Sequence, residues 1–232
     1  MRFAVLIPGM LRCFEEVQPE FKKYIIDSLN PDIFFSGYPN KMGLAYCENK
    51  IKELWDPKKY IIREYTEELR REIHSNDEKF ESRKRPESRV ASTLSGKYNI
   101  KIVNEMRKDY ERENNFKYDL LMVWRPELVF YKTIEQEEID KALKGDVLIP
   151  DAWDFKNVNP ICVSDIGVVT NGESMDVYAS LIDCIDKYWE NGHTFHPETL
   201  MGVHVKETGL RRTGVNYTGW YLYYTQKQRK SF

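Results

Sequence analysis

The sequence predicts an α/β fold with a mixed, mostly parallel central sheet flanked by helices. Three observations carry this. Short apolar runs alternate with helical hydrophobic periodicity from Arg2 to Ile62, the order produced when parallel strands are joined by crossover helices. Tyr118 to Trp124 is the most apolar run of the chain, as expected of a central strand covered on both faces. The 232 residues are 41% hydrophobic and 13% aromatic, too apolar for a disordered chain and numerous enough to bury a sizeable core.

Arg2 to Ile7 reads as a buried strand closed by a tight turn at Pro8-Gly9. Phe14, Val17, Phe21, Tyr24, Ile25 and Leu29 then recur at helical spacing until Asn30-Pro31 stops the pattern. Ile33-Phe34-Phe35 gives a second strand ending in Ser36-Gly37. Leu44, Cys47, Ile51 and Leu54 mark a second helix that ends at Asp56-Pro57, before a third strand at Tyr60 to Ile62. This is a Rossmann-like half. Glu67 to Arg89 carries seven acids and seven bases with few apolar residues, and reads as a solvated excursion or mobile flap. Helical spacing resumes at Tyr98, Ile102, Met106 and Tyr110 and leads to the fourth strand. A polar helix near Glu135 to Leu143, a strand at Asp146 to Pro150 and apolar runs from Ile161 to Val169 follow. One helix buries Met175, Tyr178, Leu181, Ile182, Ile185 and Trp189; another starts at Pro197 and ends at Gly209 as a left-handed cap. Val215 to Tyr224 alternates as a terminal strand.

With 35 Lys+Arg against 37 Asp+Glu the net charge is −2, so no net field favours capture of nucleic acid. No apolar stretch approaches the ~18 residues of a membrane span, and none is expected. Cys13, Cys47, Cys162 and Cys184 are scattered without a CxxC pair, which predicts a reducing, cytoplasmic setting.

The chain has no GxxxxGK[ST], no GxGxxG after the first strand and no GxSxG, leaving P-loop, dinucleotide and serine-hydrolase chemistry unsupported. His193 and His196 stand three apart, but Gly-His-Thr-Phe-His-Pro before a helix reads better as loop and capping chemistry than as a metal site. Arg125-Pro126-Glu127 follows the best buried strand, where open α/β sheets bind ligands. A carboxylate there suits Mg2+ or Mn2+, or else Arg125 simply pairs with a neighbour. Asp165 interrupts an apolar stretch, either as a loop residue or as a carboxylate in a cleft. Gly9 either makes a turn or lets a ligand approach the backbone.

In order along the chain, Pro8-Gly9-Met10-Leu11-Arg12, Leu29 to Phe34, Asn115 to Asp119 running into Arg125-Pro126-Glu127-Leu128, Val163-Ser164-Asp165, Gly172 to Asp176 and His196-Pro197-Glu198 resemble the motifs of a group of glycosyltransferases found in bacteria and large DNA viruses. The resemblance covers most of the chain. It implies a GT-A-like, Rossmann-type domain over residues 1–232, with a nucleotide-binding half (1–131), a charged excursion (67–96) and an acceptor-side half (132–232). It also implies a nucleotide-diphosphate sugar donor, UDP-sugars favoured, and transfer to a hydroxyl of a glycan or glycoprotein. Pro8, Gly9, Arg12, Arg125 and Asn171 would then hold the donor, and Glu127 would hold Mn2+ or Mg2+. Asp165 would act as base, with Glu198 as runner-up. The chain departs from the pattern where Arg125-Pro126-Glu127 replaces Asp-x-Asp, which leaves Arg125 to neutralise the diphosphate. It departs again at Ser36-Gly37-Tyr38, where the family has a histidine-tryptophan.

Two other readings stay open on the sequence. One is a non-catalytic nucleotide- or glycan-binding module. The other is an interaction domain using Arg83-Lys84-Arg85 and the basic tail Lys227, Arg229 and Lys230. The aromatic tail (Tyr217, Trp220, Tyr221, Tyr223) fits a half-buried strand better than a sugar-stacking platform.

Overall fold

The computed structural model describes residues 1–150 and 161–215, and residues 220–222 as backbone alone. The first edge of the sheet comprises β1 (Phe3–Met10), β2 (Asp32–Tyr38) and β3 (Lys59–Ile62). Between them run α1 (Phe14–Phe21), which continues through a π-helical turn (Lys22–Ile26) into α2 (Asp27–Leu29), and then α3 (Leu44–Trp55). Asn30 and Asp56 take left-handed conformations at the two helix ends, with φ of 44° and 43°, where the short Asx side chain tolerates a positive φ. Next come α4 (Glu67–Ile73), a 3-10 turn (Asp77–Arg83), the long α5 (Val90–Asn114), β4 (Leu120–Trp124) and β5 (Leu128–Phe130). The chain continues with α6 (Gln136–Leu143), β6 (Val147–Pro150), β7 (Gly167–Thr170), α7 (Gly172–Ala179), α8 (Leu181–Glu190), α9 (Pro197–Thr208), β8 (Arg212–Val215) and β9 (Trp220–Leu222).

Seven strands form the central sheet in the order β3-β2-β1-β4-β7-β6-β8. β7 alone among them runs antiparallel to its neighbours, and β5 pairs with β9 as a separate antiparallel ribbon. The expected mixed, mostly parallel sheet flanked by helices is therefore present. Successive side chains of β1 serve opposite faces, as strand geometry requires. Ala4 and Leu6 pack with Phe34, Leu94, Val103, Met175 and Leu200 under α5 and α7–α9. Phe3, Val5 and Ile7 pack with Phe14, Phe21, Ile51 and Trp55 under α1 and α3. Each such fully buried side chain contributes roughly 1.5–3 kcal/mol.

Four sequence expectations are corrected. β1 does not turn at Pro8-Gly9: it continues to Met10, pairing Pro8 with Ser36, Gly9 with Gly37 and Met10 with Tyr38. Gly9 has φ of +107°, and a Cβ on Gly37 would lie 1.7 Å from the Gly9 carbonyl oxygen, so a close glycine–glycine contact carries the strand past the proline. The helix through Met175 and Trp189 is broken at Ser180, whose hydroxyl donates to the Val177 carbonyl at 2.8 Å and competes with the helical ladder. α5 starts at Val90 rather than near Tyr98.

The charged excursion is a docked segment rather than a flap. Phe80 is fully buried and stacks on Phe195 with centroids 4.6 Å apart. Phe195 N donates to Arg83 O and Arg85 N to Phe195 O, both at 3.2 Å. Arg83 lies over the Trp189 ring at 3.9 Å, Lys84 reaches Glu81 at 3.3 Å and Arg85 reaches Glu87 at 2.5 Å. The basic triplet is thus engaged within the chain. Lys227, Arg229 and Lys230 and the aromatic tail side chains lie outside the described residues.

Candidate active site

β1 pairs with β2 out to Met10 but with β4 only as far as Leu6. The carboxyl edge of the sheet therefore splits beyond Leu6, at the place where open α/β sheets take ligands. A cleft of about 390 Å3 occupies the split. Pro8, Gly9 and Met10 of β1 line it together with Arg12, Tyr38, Tyr65, Arg125, Glu127, Asp165, Pro197, Glu198 and the first turns of α5 from Ala91 to Lys97. Both α5 and α9 begin at this cleft, bringing the positive ends of two helix dipoles to it.

Three cations and three carboxylates are arranged here. Lys97 falls in the same buried helical stripe as Thr93, Ile100, Asn104, Arg107 and Glu111, so the phase of α5 forces its side chain inward. Only 4% of it is exposed, and Nζ donates to Asp165 Oδ2 at 2.6 Å. The Arg125 guanidinium donates from Nε to Glu127 Oε1 at 3.0 Å and again from Nη2, across the single intervening Pro126. Asp165 and Glu198 meet because Val163 N donates to Glu198 O at 3.0 Å, tying the segment before β7 to the first turn of α9. Gly202 permits this tie. A Cβ there would sit 1.6 Å from the Ile161 carbonyl oxygen. Gly202→Ala is therefore expected to cost about 1–3 kcal/mol, read as a lower denaturation midpoint, and to reduce ligand binding at the cleft as well.

The two acids differ in proton affinity. Burial by itself would raise the Asp165 carboxyl, but the charges of Lys97 and Arg125 and the Lys97 hydrogen bond outweigh it and hold the group below its ordinary value. Glu198 is pushed up to about 7, by burial first and then by the charge of Asp165. Its Oε2 receives no well-formed hydrogen bond among the described residues, although His196 Nε2 stands 3.1 Å away. Burial, with the Arg85 charge adding to it, lowers His196 below the ordinary imidazole value. The contact is accordingly a neutral ring beside a carboxyl rather than an ion pair.

Pro8, Gly9, Arg12, Arg125, Glu127, Asp165 and Glu198 thus share one cleft. Asn171 does not: its side chain caps α7, accepting from Ser174 N at 3.0 Å. His193 and His196 also part company, His193 lying edge-on to Tyr188 while His196 Nδ1 meets Thr199 Oγ1 at 3.1 Å. Lys97 and Tyr65 belong to the cleft with no motif pointing to them, and Tyr38, which stands where the chain departs from the family motif, joins them. The signal for Lys97 was its place in the inward phase of α5, hidden because that face is largely polar.

The expected Mn2+ or Mg2+ at Glu127 is not supported by the donor set. Among the described residues no three His, Cys, Asp or Glu side chains gather as metal ligands. Glu127 Oε1 is taken twice by Arg125 and Asp165 Oδ2 by Lys97.

The chain shares its fold with a glycosyltransferase. Mouse xyloside xylosyltransferase 1, as its apo crystal structure, aligns with a TM-score of 0.50 over 94% of this chain and 86% of its own, at 12% sequence identity. At that identity the likeness speaks for the fold. No family model matches the sequence, and no curated protein matches it. Among the described residues no helix is long and apolar enough to cross a membrane.

Proposed function

We propose that this protein is a GT-A-like glycosyltransferase that moves a sugar from a nucleotide-diphosphate donor, a UDP-sugar by preference, to a hydroxyl of a glycan or glycoprotein. The observation that carries the reading is the cleft at the carboxyl edge of β1 and β4, which gathers cations for a diphosphate and two carboxylates of unlike proton affinity. The fold shared with a xylosyltransferase supports it.

In this reading the acceptor oxygen bonds to the anomeric carbon as the carbon–phosphate oxygen bond breaks. The electron pair leaves with the diphosphate, and the acceptor proton goes to a base. Glu198 suits the base task better than Asp165, because a group titrating near 7 both accepts a proton and is ionised at working pH. Asp165, held ionised by Lys97, is a weak base and a strong anchor. Its role is to fix the Lys97 ammonium and raise Glu198. The order of the two acids read from sequence is thereby reversed.

The test is to incubate the protein with UDP-, GDP- and CDP-sugars and simple glycoside acceptors, following nucleotide release and thermal stability. One nucleotide class is expected to raise the melting temperature, since a ligand bound only by the native state must do so, and to be consumed. No shift and no turnover with any of them would overturn the proposal.

A further inference from the structure

We infer that protein cations, Lys97 and Arg125 with Arg12, hold the donor diphosphate in the place a divalent metal would otherwise take. This rests on the glycosyl-transfer reading and deepens it. Breaking the sugar–phosphate bond puts negative charge on the leaving diphosphate, and fixed positive charge in a desolvated cleft stabilises that change. At the position where the resemblance placed the metal-binding acid pair, the cleft presents a guanidinium instead.

The acids that would coordinate a metal are already committed. Glu127 is nearly buried and bound by Arg125 at 2.5 Å. Asp165 is bound by Lys97 at 2.6 Å. A metal at either acid would have to share the carboxylate with a cation already bound to it, crowding a further positive charge against Lys97 and Arg125 in one cleft, which is costly. Lys97 meanwhile carries three donors on its ammonium, of which one goes to Asp165 among the described residues. Arg125 supplies a planar fork suited to phosphate oxygens.

The charge balance agrees. Arg12, Lys97 and Arg125 face Glu127 and Asp165, and Glu198 is pushed up to about 7, so the cleft carries one net positive charge whenever Glu198 is protonated. Around Lys97, α5 adds favourable field, since its first turn holds no acidic residue. Gly96, on the same wall, has open space where a Cβ would stand, which leaves room for a phosphate to approach the helix.

The experiment is calorimetric titration of the whole chain with UDP, GDP and CDP, once in EDTA and once with Mn2+. One diphosphate is expected to bind in EDTA with an affinity within about twofold of that in Mn2+. Arg12→Ala, and the double variant Arg125→Met/Glu127→Gln that removes both charges of that nearly buried pair together, are each expected to weaken it by roughly 10–100-fold, the range of a lost charge-assisted bond. Lys97→Met leaves Asp165 buried without its partner and invites misfolding. The double variant Lys97→Met/Asp165→Asn removes both charges together, and with an unchanged melting temperature it must show the same weakening. Binding that requires Mn2+ would overturn the cation clamp while leaving glycosyl transfer standing. Binding in EDTA that all these variants leave intact would also overturn the clamp. Binding of none of the three in either condition, with no sugar transfer, would overturn the glycosyl-transfer reading itself.

Discussion

Glu198→Gln is expected to lower the transfer rate by about 10²–10⁴-fold, the usual worth of a positioned general base, while nucleotide affinity changes little. The wild-type rate should climb as pH rises through about 7, where the Glu198 carboxyl loses its proton, and the glutamine variant should show no such climb. Asp165→Asn provides a sharper check. Removing that neighbouring charge takes away the second-largest influence raising Glu198, so the midpoint of the pH–rate curve should move to lower pH. Initial rates across pH 5 to 9 for the three proteins, an interval of roughly two units either side of the inflection, measure both effects. A wild-type protein that binds nucleotide sugars but turns none over at any pH would be a binding module. Equal rates in wild type and Glu198→Gln would remove Glu198 from the chemistry.

The second large effect concerns stability. Arg107 and Glu111 on α5 are both about 1% exposed and bond at 2.9 Å. Arg107 also reaches Asn104 and, on α7, Asp176. Glu111 in turn accepts from Tyr118 N at 2.8 Å, which fixes the approach to β4. Arg107→Met leaves the Glu111 carboxylate in the interior with the exposed Lys117 ammonium, 3.1 Å from its Oε2, as its remaining counter-charge. Breaking a buried pair outright costs about 3–5 kcal/mol; with Lys117 still in reach the loss should lie near the lower end of that range, still a large share of the roughly 5–15 kcal/mol by which a folded chain is stable. Adding Glu111→Gln removes the stranded charge yet keeps the acceptor for Tyr118, so the double variant should recover much of the loss. Urea unfolding of the two variants decides this; equal midpoints would show that the stranded charge is not the cause.

The alternation from Arg2 to Ile62, the stops at Asn30 and Asp56, and the Pro197 start and Gly209 end of α9 could be read in the sequence because each has a local cause: period, proline or a left-handed cap. The candidate site was legible where a charged residue interrupts an apolar run, as at Arg125-Pro126-Glu127 and Asp165. Asn171 misled because a capping Asn and a ligand-binding Asn look alike in one dimension. β1 running past Pro8 could not be foreseen, since it depends on Gly9 and Gly37 meeting across two strands. α5 was cut short for a different reason. Its inward face carries Thr93, Lys97, Asn99, Asn104, Arg107 and Glu111, and a search for apolar periodicity passes over a buried polar stripe. The excursion from Glu67 to Arg89 has balanced charge, yet its one buried aromatic, Phe80, stacks on Phe195 and two backbone hydrogen bonds to Phe195 hold the segment beside it.

That same stripe orders events in folding. Arg107 and Lys97 find partners at Asp176 and Asp165, 69 and 68 residues further along the chain. Until those later segments arrive, laying α5 against the sheet would bury one cation without a counter-charge and leave the other short of a partner, and loop closure over such separations is slow. The strands of residues 1–131 are all made before β7 and α7 emerge, but their covering helix cannot settle without them. Residues 1–131 on their own should therefore hold secondary structure with α5 undocked, and the cleft should come into being only when the last third of the chain closes over it.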